Sequence, residues 1–407
     1  MTAEQSVKPP ERQLVLEERR NLKMAKSAES FVRGTTFAFY KWLESTNGRS
    51  VPDGPPVWIC GDCHVGNLGP VANSKGQVEI AIRDLDQTVI GNPSHDLIRL
   101  GLSLAMAARG SDLPGVITAK IIEQLIEGYD KALSHRSLAY KDFERPTELF
   151  KVVLKQAGKR KWHQLAQDWI EDDKPHIYLG KRFWPLSQTE KKEIERLFET
   201  EQGRKLVTCL HNRKDDAKIE LLDAAYWMKG CSSLGRLRYA VLIHVKGPTH
   251  KKEEKFCLID IKEADKPEAP HVKSPDLPRS NDRRVVTGAG KLSPFLGNRM
   301  LAAKLMDRSV FVRELLPQDL KLEFDQLSSD DAASVAHFLA LVLGKAHGRQ
   351  MDLPTRRKWR AELAKARGKN LNAPSWLWSS VVDLIAIHET AYLDHCRKYA
   401  NQAAKGK

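Results

Sequence analysis

Two neighbouring stretches of the sequence decide its interpretation: VWICGDCHVGN at residues 57–67 and VEIAIRDLDQ at residues 78–87. Each begins with a short apolar run that predicts a β-strand. Each strand then leads into a turn that contains Asp residues. Gly91-Asn92-Pro93 breaks the chain directly afterwards, and an apolar helix is predicted from Asp96 to Ala108. The N-terminal part of the chain therefore mixes strands with helices.

The polar residues in these two turns are the types that phosphoryl transfer requires. Asp62 and Asn67 lie five positions apart in the first turn, and Asp84 and Asp86 follow the second strand. A phosphotransferase needs a carboxylate near the acceptor hydroxyl and hard oxygen ligands that hold Mg²⁺ against the phosphates of ATP. Asp and Asn are also ordinary turn residues. The flanking strands and the later Asp-Leu-Asp favour the catalytic interpretation.

The first turn also contains the literal pattern C-x-x-C-H, from Cys60 to His64. This pattern attaches c-type haem, but the chain shows no export signal and haem leaves the longer motif unexplained. Cys60, Cys63 and His64 could instead hold zinc, yet a structural zinc site needs four ligands and no second pair follows. We favour the interpretation of both Cys residues as small buried side chains beside a strand.

The composition limits the class of protein. The chain has 407 residues, 41% of them hydrophobic, and a formal net charge of +14. Such a chain can bury large cores, and its length predicts roughly two to three domains. Its six Cys residues are scattered, which excludes a disulfide scaffold. Without a long apolar run or a signal peptide, we expect a cytoplasmic protein that does not enter membranes. The basic charge suggests anionic partners, such as nucleotides, phosphorylated substrates or nucleic acid.

Taken together, the motifs resemble those of aminoglycoside and choline kinases, whose pattern is H-G-D-x-H-x-x-N, then I-D-[FW], then G-x-P-x-x-D-L. The matching stretches here are Cys60 to Asn67, Ile82 to Asp86 and Gly91 to Leu97. The D-x-x-x-x-N spacing is also that of kinase catalytic loops. The whole chain resembles an uncharacterised bacterial family, domain of unknown function 2252, which shares the Arg33-Gly34 start, the G-D-x-H-x-G-N loop and a later Lys-Glu-Ala.

This resemblance implies roles for individual residues. Asp62 would be the catalytic base. Asn67 and Asp84 would be Mg²⁺ ligands, with Asp86 as a further candidate ligand. Asp96 would be the structural acid that braces the loop.

Three other positions follow from the same comparison. His64 would give structural support to the site, and Arg33 is a candidate for bracing the aspartates. Cys60 replaces the leading His of the kinase pattern. That His is mainly scaffolding, so its replacement does not by itself abolish the chemistry.

A nucleotide lobe needs a loop that covers the phosphates and a lysine on a neighbouring strand. Both candidates follow the catalytic loop in sequence. Two strand-like runs flank the loop Gly230-Cys231-Ser232-Ser233-Leu234-Gly235. Glycine lets the backbone approach phosphate closely. The predicted ATP contacts in this loop are Gly230, Ser232, Ser233 and Gly235. The strand from Phe256 leads into Lys262, which would supply a point charge. An ordinary hairpin with a surface lysine is the structural alternative.

Two features of this lobe depart from familiar patterns. Arg236 and Leu237 follow the second glycine, so the Lys and Ser/Thr of a Walker A loop are missing. Kinases also pair the strand lysine with a helix Glu. The candidates for that acid here are Asp282 and Glu268, and the absence of such a pair would leave a pseudokinase open.

The order of the elements predicts a helix-rich α+β protein with a bilobal, protein-kinase-like (aminoglycoside phosphotransferase-like) fold whose lobes are circularly permuted. We predict five segments: a charged N-terminal arm (1–27), the catalytic-loop and metal-binding part of the C-lobe (28–112), a helical acceptor-side block (113–220), a β-rich nucleotide-binding lobe (221–328) and C-terminal helices that complete the C-lobe (329–407).

The predicted function is an ATP- and Mg²⁺-dependent phosphotransferase with an unknown acceptor, of which a small molecule is favoured. Basic residues between Lys151 and Lys161 hint at an anionic acceptor. Transfer of AMP or a protein-kinase activity would use the same groups. A pseudokinase or a basic nucleic-acid-binding protein is the non-enzymatic alternative. The stretch from Thr355 to Lys369 has seven basic residues and one acid around Trp359, although a solvated helix face is its commoner meaning.

Overall fold

The computed structural model describes most of the chain. The described residues are 7–45, 51–135, 147–161, 176–210, 213–214, 216–231, 234–246, 256–319, 328–365 and 371–405. Their helices and strands surround two main hydrophobic cores, one largely helical and one built on a β-sheet. The helix-rich α+β class predicted from the sequence is confirmed, and the sheets are antiparallel.

The helices are α1 (Arg12–Met24), α2 (Ala28–Gly34), α3 (Thr36–Ser45), α4 (Pro93–Gly110), α5 (Val116–Ser134), α6 (Glu148–Lys159), α7 (Gln188–Glu199), α8 (Glu201–Thr208), α9 (Asn281–Leu292), α10 (Pro294–Gly297), α11 (Ser329–Gly348), α12 (Leu353–Ala364) and α13 (Ser375–Lys405). The strands are β1 (Val57–Ile59), β2 (Leu68–Ala72), β3 (Val78–Ile82), β4 (Val89–Gly91), β5 (Phe183–Trp184), β6 (Lys218–Trp227), β7 (Arg238–Lys246), β8 (Phe256–Glu263), β9 (Met300–Leu305) and β10 (Arg308–Leu315).

The largest sheet contains six strands in the order β5-β6-β7-β8-β10-β9. β6, β7 and β8 follow one another as a meander, and α9 and α10 precede the hairpin of β9 and β10. β10 lies between β8 and β9, so the strand that ends the sheet in sequence pairs with β8. The central strands are rich in Val, Ile and Leu, which suit a pleated buried surface. Leu16 of α1, Phe198 of α7 and Val207 of α8 pack on one face of this sheet.

The helical core depends on a close crossing of α5 and α11. At Gly128 of α5, a Cβ atom would lie 2.1 Å from the carbonyl oxygen of His337. Gly344 of α11 faces α5 in the same way, with a Cβ position 2.9 Å from the carbonyl oxygen of Tyr129. Only glycine lets the two backbones approach this closely. The strongly apolar sequences of α4 and α11 reflect their central positions in this core.

Two short antiparallel sheets bring the acidic turns together. β1 pairs with β4, and β2 pairs with β3 so that Leu68 lies opposite Ile82. The turn that ends at Asn67 and the turn that begins at Arg83 therefore emerge side by side. The backbone N–H of Arg83 donates a hydrogen bond to the carbonyl oxygen of Asn67 at 2.7 Å. The predicted catalytic loop and the predicted metal-binding turn are thus neighbours.

The predicted charged arm is a packed helix over most of its described length. α1 begins at Arg12, whose guanidinium lies 2.6 Å from the carboxylate of Glu190 in a buried ion pair. Leu16 is 1% exposed in the core of the large sheet. The sequence predicted a mobile charged arm that becomes helical. The helix is present over Arg12–Met24, and one of its charges is neutralised by a distant helix.

The predicted helical block 113–220 is divided between the two cores. Phe150 of α6 lies in the helical core, with its ring centroid 4.4 Å from that of Phe338. α7 and α8 instead pack on the large sheet, and β5 (Phe183–Trp184) joins the edge of that sheet. β6 begins at Lys218, earlier than the sequence suggested. Periodicity identified the helices but did not indicate which core each of them covers.

Candidate functional site

The predicted lysine and the predicted acids meet where the large sheet faces the acidic turns. Lys262, on β8, donates to both carboxylate oxygens of Asp84, with distances of 3.0 and 3.1 Å from Nζ. Nζ also lies 3.0 Å from Oδ2 of Asp86. Lys262 and Asp84 are 178 positions apart in the sequence, so tertiary packing alone brings them together. One ammonium group thus lies between two carboxylates.

Burial and charge act against each other in this cluster. The Lys262 side chain is 3% exposed and that of Asp84 is 38% exposed. Burial would lower the pKa of Lys262, but Asp84 and Asp86 outweigh it and raise the pKa above its ordinary value. Burial would raise the pKa of Asp84, yet Lys262 and Arg313 hold that pKa well below its usual range. The pKa of Asp86 is raised, by burial first and then by the charge of Asp84.

Two arginines hold the turn that carries these acids. Arg284, on α9, donates to the carbonyl oxygens of Asp86, at 2.9 Å, and of Thr88. Arg313, on β10, donates to the carbonyl oxygen of Arg83 at 2.8 Å. From the sequence, Arg313 was a possible phosphate ligand with a surface charge as the favoured alternative, and Arg284 had no predicted role. Both arginines hold backbone carbonyls on a distant segment, and Arg313 also pairs with Asp260 at 3.4 Å. No local pattern in the sequence marks such a contact.

The catalytic-loop candidate is fixed from below by Asp96 at the start of α4. Oδ2 of Asp96 accepts a hydrogen bond from the N–H of Cys60 at 2.7 Å, and Oδ1 accepts one from Gly61 at 3.0 Å. Nε2 of His347 lies 3.2 Å from Oδ2. Gly61 has a φ of +77°, and a Cβ there would lie 2.2 Å from the carbonyl oxygen of Gln87. Asp96 therefore holds this loop through two backbone N–H groups.

Asp62 lies inside this loop with little exposure to solvent. Its side chain is 8% exposed, and Oδ1 accepts a hydrogen bond from Nε of Arg99 at 2.9 Å. Oδ2 lies 4.0 Å from Nε2 of His64. Burial raises the pKa of Asp62, and the charge of Arg99 offsets only part of that effect.

Arg99 is the arginine that braces Asp62, which corrects the expectation for Arg33. Arg33 instead lies 3.8 Å from the carboxylate of Glu29 in the same helix. Arg99 is 1% exposed on α4, a helix whose other central residues are mostly apolar. A charged residue in such a helix is rarely buried unless it is paired. This was the signal in the sequence that could have identified it.

Asn67 contributes an oriented amide beside the acids. It is 7% exposed, and its Nδ2 donates to the carbonyl oxygen of Asp62 at 2.9 Å. This bond fixes the amide so that Oδ1 is the side-chain acceptor that remains. Together with Asp84 and Asp86, Asn67 provides hard oxygen donors of the kind that Mg²⁺ prefers.

The donor set suits Mg²⁺ rather than a softer metal. Within the described part of the chain, no group of three or more His, Cys, Asp or Glu side chains is arranged to hold a metal ion. Mg²⁺ commonly uses only one or two carboxylates and takes its other ligands from water and substrate phosphates. Asp84 and Asp86 are carboxylates of this kind, and in this structure the ammonium of Lys262 lies between them.

The two Cys residues of the loop are free thiols packed into the helical core. Cys60 is 1% exposed and Cys63 is 0% exposed. The hydrogen bond between them, together with burial, raises the pKa of Cys60. This environment is the one that we favoured for them as small buried side chains, and it keeps Cys60 protonated.

The predicted phosphate-covering loop connects β6 to β7. Gly230 and Gly235 have φ values of +96° and +98°, a backbone region that favours glycine. Ser232 and Ser233, which we also predicted to contact ATP, lie outside the described residues. Both glycines therefore have a conformational reason for their identity that does not depend on a ligand.

The surroundings of this loop were not visible in the sequence. The first residue of β7, Arg238, pairs in register with Lys262, so the loop leads into β7 at the level of the lysine. On its other side, Nζ of Lys23 on α1 donates to the carbonyl oxygen of Gly230 at 2.7 Å. The N-terminal helix thus contacts the loop directly.

The predicted acid partners of Lys262 were wrong. Asp282, on α9, accepts a hydrogen bond from Oγ of Ser309 at 2.9 Å. Glu268 contacts the turn after Asp86 only through its backbone N–H. The partners of Lys262 are Asp84 and Asp86, and α9 directs Arg284 toward the turn that carries them.

The basic C-terminal stretch forms α12 and turns its aromatic residue inward. Trp359 is 2% exposed in the helical core. Arg360 forms a two-pronged ion pair with Asp130, with distances of 2.8 and 2.9 Å. Residues 366–370 lie outside the described range. Trp359 is therefore not available to stack on a nucleic-acid base.

A sequence profile for an uncharacterised protein family conserved in bacteria (DUF2252) matches residues 12–398. The chain therefore belongs to this family. No curated protein and no solved structure is significantly similar to it. Among the helices that the structure describes, none is both long enough and apolar enough to span a membrane.

Proposed function

We propose that this protein is an ATP- and Mg²⁺-dependent phosphotransferase with a circularly permuted, kinase-like arrangement of its lobes. The observation that carries the proposal is the contact of Lys262 with Asp84 and Asp86. It joins a strand lysine to the acids of a separate metal-binding turn. Kinases use a strand lysine and a metal-binding Asp around one nucleotide.

The order of elements around Lys262 supports the same proposal. A turn with two positive-φ glycines precedes β7, the lysine lies on β8, and a helix then separates β8 from two further strands. A Gly-rich loop, a lysine strand and a helix occur in this order in the nucleotide lobe of kinases. In this chain the catalytic loop precedes the nucleotide lobe in sequence, which is the sense of the permutation.

The residues of the loop and turn would divide the chemistry between them. Asp62 would accept the proton of the acceptor hydroxyl, and its raised pKa favours proton transfer near neutral pH. Asn67, Asp84 and Asp86 would hold Mg²⁺, and Lys262 would neutralise phosphate charge. Bound Mg²⁺ would stabilise the charge that develops on the phosphates during transfer. Asp96 and Arg99 hold the loop and the base in position.

Calorimetric titration of ATP tests the proposal directly. We expect binding with a micromolar to millimolar Kd that requires Mg²⁺ and is weakened at least tenfold by Asp84→Asn. Asp394→Asn is the matched control because its side chain is 67% exposed on α13, and it should leave the Kd unchanged. The absence of ATP binding in the presence of Mg²⁺ would rule out the proposal.

A nucleotide-binding protein without transfer activity is the second candidate. The ion pair between Asp62 and Arg99 favours it, because the guanidinium makes Asp62 a weaker base than the same buried carboxylate would be without that partner. ATP labelled on the γ-phosphate or on the α-phosphate separates the outcomes. Transfer of the γ label identifies a phosphotransferase, and transfer of the α label identifies an AMP transferase. Mg²⁺-dependent binding with no transfer of either label to any acceptor class would support the second candidate.

A further inference from the structure

A large basic cleft lies beside the candidate site. It is formed by the proline-containing segment 264–280, the start of α9 and β4, and its volume is about 730 Å³. The basic residues of its lining are Lys266, His271, Lys273, Arg279 and Arg284, and the lining includes no Asp or Glu. Small-molecule sites in proteins have volumes of about 300–1,000 Å³. The cleft therefore has the size of a ligand site and a charge of one sign.

Three of the basic side chains in this cleft have no ion-pair partner among the described residues. Lys266, Lys273 and Arg279 form no ion pair with any residue that the structure describes. Arg284 donates to backbone carbonyls rather than to an acid. Burial lowers the pKa of Arg284 to about 10, so the side chain stays charged at neutral pH. Several cations without ion-pair partners around one cleft favour an anionic ligand.

The cleft is joined to the acidic turn by shared residues. Arg284 lines the cleft and also donates to the carbonyl oxygen of Asp86 at 2.9 Å. Val89, at the start of β4, is part of the same lining. The backbone N–H of Val272 donates to the carbonyl oxygen of Ile90 at 2.9 Å, which fastens the outer wall of the cleft to β4. A ligand in the cleft would thus lie next to the turn that carries the acids.

We propose that this cleft binds the acceptor of the reaction and that the acceptor is a phosphorylated small molecule. That the ligand is an acceptor rests on the proposed phosphotransferase function. That the cleft binds an anion rests on the cleft alone. A phosphate dianion matches a cleft lined by Lys and Arg side chains better than a neutral or cationic compound does. The acceptor would then bind against residues 264–284, and not against the helical block 113–220.

Inorganic pyrophosphate, titrated without Mg²⁺, is the probe that tests the anion site. The variant Lys273→Gln/Arg279→Gln removes two exposed cations from the cleft. The control variant Lys191→Gln/Lys192→Gln removes two exposed cations from α7. We expect the cleft variant to bind pyrophosphate at least tenfold more weakly than the parent protein, and the control variant to bind it with the parent Kd.

Each other outcome has a defined meaning. Equal pyrophosphate binding by parent and cleft variant, or no binding by the parent, would overturn the proposal. A single-stranded oligonucleotide whose binding depends on the cleft, while pyrophosphate does not bind, would assign the cleft to nucleic acid and also overturn it. Mg·ATP is titrated in parallel. If the cleft variant loses Mg·ATP binding while the control variant keeps it, the cleft holds the nucleotide, which would overturn its assignment to the acceptor. If the parent protein does not bind Mg·ATP, only the phosphotransferase function is ruled out.

Discussion

Asp62 combines burial with a single strong partner, and this combination defines what the residue can do. Its Oδ1 is held by Arg99, so the carboxylate has a fixed direction. Burial nevertheless raises its pKa, which makes it a stronger base than an exposed Asp would be. The loop that carries it is fixed by Asp96 through two backbone N–H groups. Asp96 therefore fixes the position of the loop that carries Asp62, whereas burial and Arg99 set the basicity of the Asp62 carboxylate.

Asp62→Asn should remove transfer activity without removing nucleotide binding. The amide keeps the size of the side chain but cannot accept the proton, so kcat should fall by about 10²–10⁴-fold. Kd for Mg·ATP, measured by calorimetry, should change less than about twofold because Asp62 is not a proposed metal ligand. Asp394→Asn again serves as the control. An unchanged kcat in the Asp62 variant would exclude this residue as the base.

His388 is a second buried titratable group, and it makes the fold sensitive to acid. It is 1% exposed on α13, and Nδ1 donates to the carbonyl oxygen of Leu384 at 2.9 Å. Among the described residues, Nε2 has no hydrogen-bond partner. Burial, reinforced by the charge of Arg99, lowers the pKa of His388 from 6.5 to about 4. The folded protein therefore holds this imidazole in its neutral form.

The free energy of unfolding should fall as the pH is lowered from 6.5 to 4. In that window the unfolded chain binds a proton at His388 and the folded chain does not, so the unfolded state gains stability. Across this pH window His388 lowers the free energy of unfolding by about 3 kcal/mol. Urea unfolding at several pH values measures it, and His388→Gln should flatten the curve by about that amount. An identical pH dependence in parent and variant would contradict the assignment.

At the scale of single elements, α1 shows how a charged sequence can belong to a core. One face of this helix carries Leu16, which is 1% exposed, while Leu14 on another face is 74% exposed. The buried face covers the large sheet, and the ion pair of Arg12 with Glu190 fastens its first turn. The helix therefore contributes to the stability of the sheet that carries Lys262.

Leu16→Ala and Leu14→Ala test this position of α1 as a matched pair. Leu16→Ala removes buried methyl groups and should lower the free energy of unfolding by about 2–5 kcal/mol. Leu14→Ala changes the same atoms on the exposed face and should have an effect within about 0.5 kcal/mol. Chemical denaturation measures both. Equal, small effects would mean that the helix is a solvated arm after all.

The crossing of α5 and α11 leaves no space for a larger side chain at Gly128. Gly128→Ala would place a methyl group against the carbonyl oxygen of His337, and the helices would have to separate. Overpacking of this kind lowers the free energy of unfolding by about 1–3 kcal/mol, and sometimes by more.

Gly158→Ala provides the control for that substitution. Gly158 lies in the last turn of α6, and no atom lies within 4 Å of the position that an added Cβ would take, so alanine should stabilise the helix by up to about 1 kcal/mol. Thermal unfolding of both variants distinguishes the two effects. A stabilised Gly128→Ala protein would contradict the close crossing described above.

At the scale of the whole molecule, the contact of Lys262 with Asp84 joins the large sheet to the turn on the helical core. A double-mutant cycle with Lys262→Gln and Asp84→Asn should give a coupling free energy of about 1–3 kcal/mol. Partial exposure of Asp84, at 38%, keeps the value below that of a fully buried pair. Urea unfolding of the four proteins provides the measurement.

The exposed pair of Arg397 and Asp394 gives the comparison cycle, because their side chains are 81% and 67% exposed. Its coupling should lie below about 0.5 kcal/mol. Equal coupling in the two cycles would mean that the Lys262 contact does not connect the two parts of the molecule.

The local features of this protein could be predicted from its sequence. Apolar runs indicated the strands that end before Asp62 and Asp84 and the strand that carries Lys262. Apolar periodicity indicated the central helices, and the mixed α+β class followed from their order. Each of these features depends on residues that are near one another in the chain, where side-chain period and turn chemistry act directly.

The contacts between distant residues became known only when the packing of the elements was described. Lys262 pairs with Asp84 and Asp86 instead of Asp282 or Glu268, Asp62 pairs with Arg99, and Arg284 holds a distant backbone turn. The N-terminal segment packs as a helix, and the block 113–220 is divided between two cores. These outcomes depend on how whole elements pack, and many pairings of the same elements satisfy the same local patterns. The physical reason is that burial selects a partner by its position in space, which no single stretch of sequence encodes.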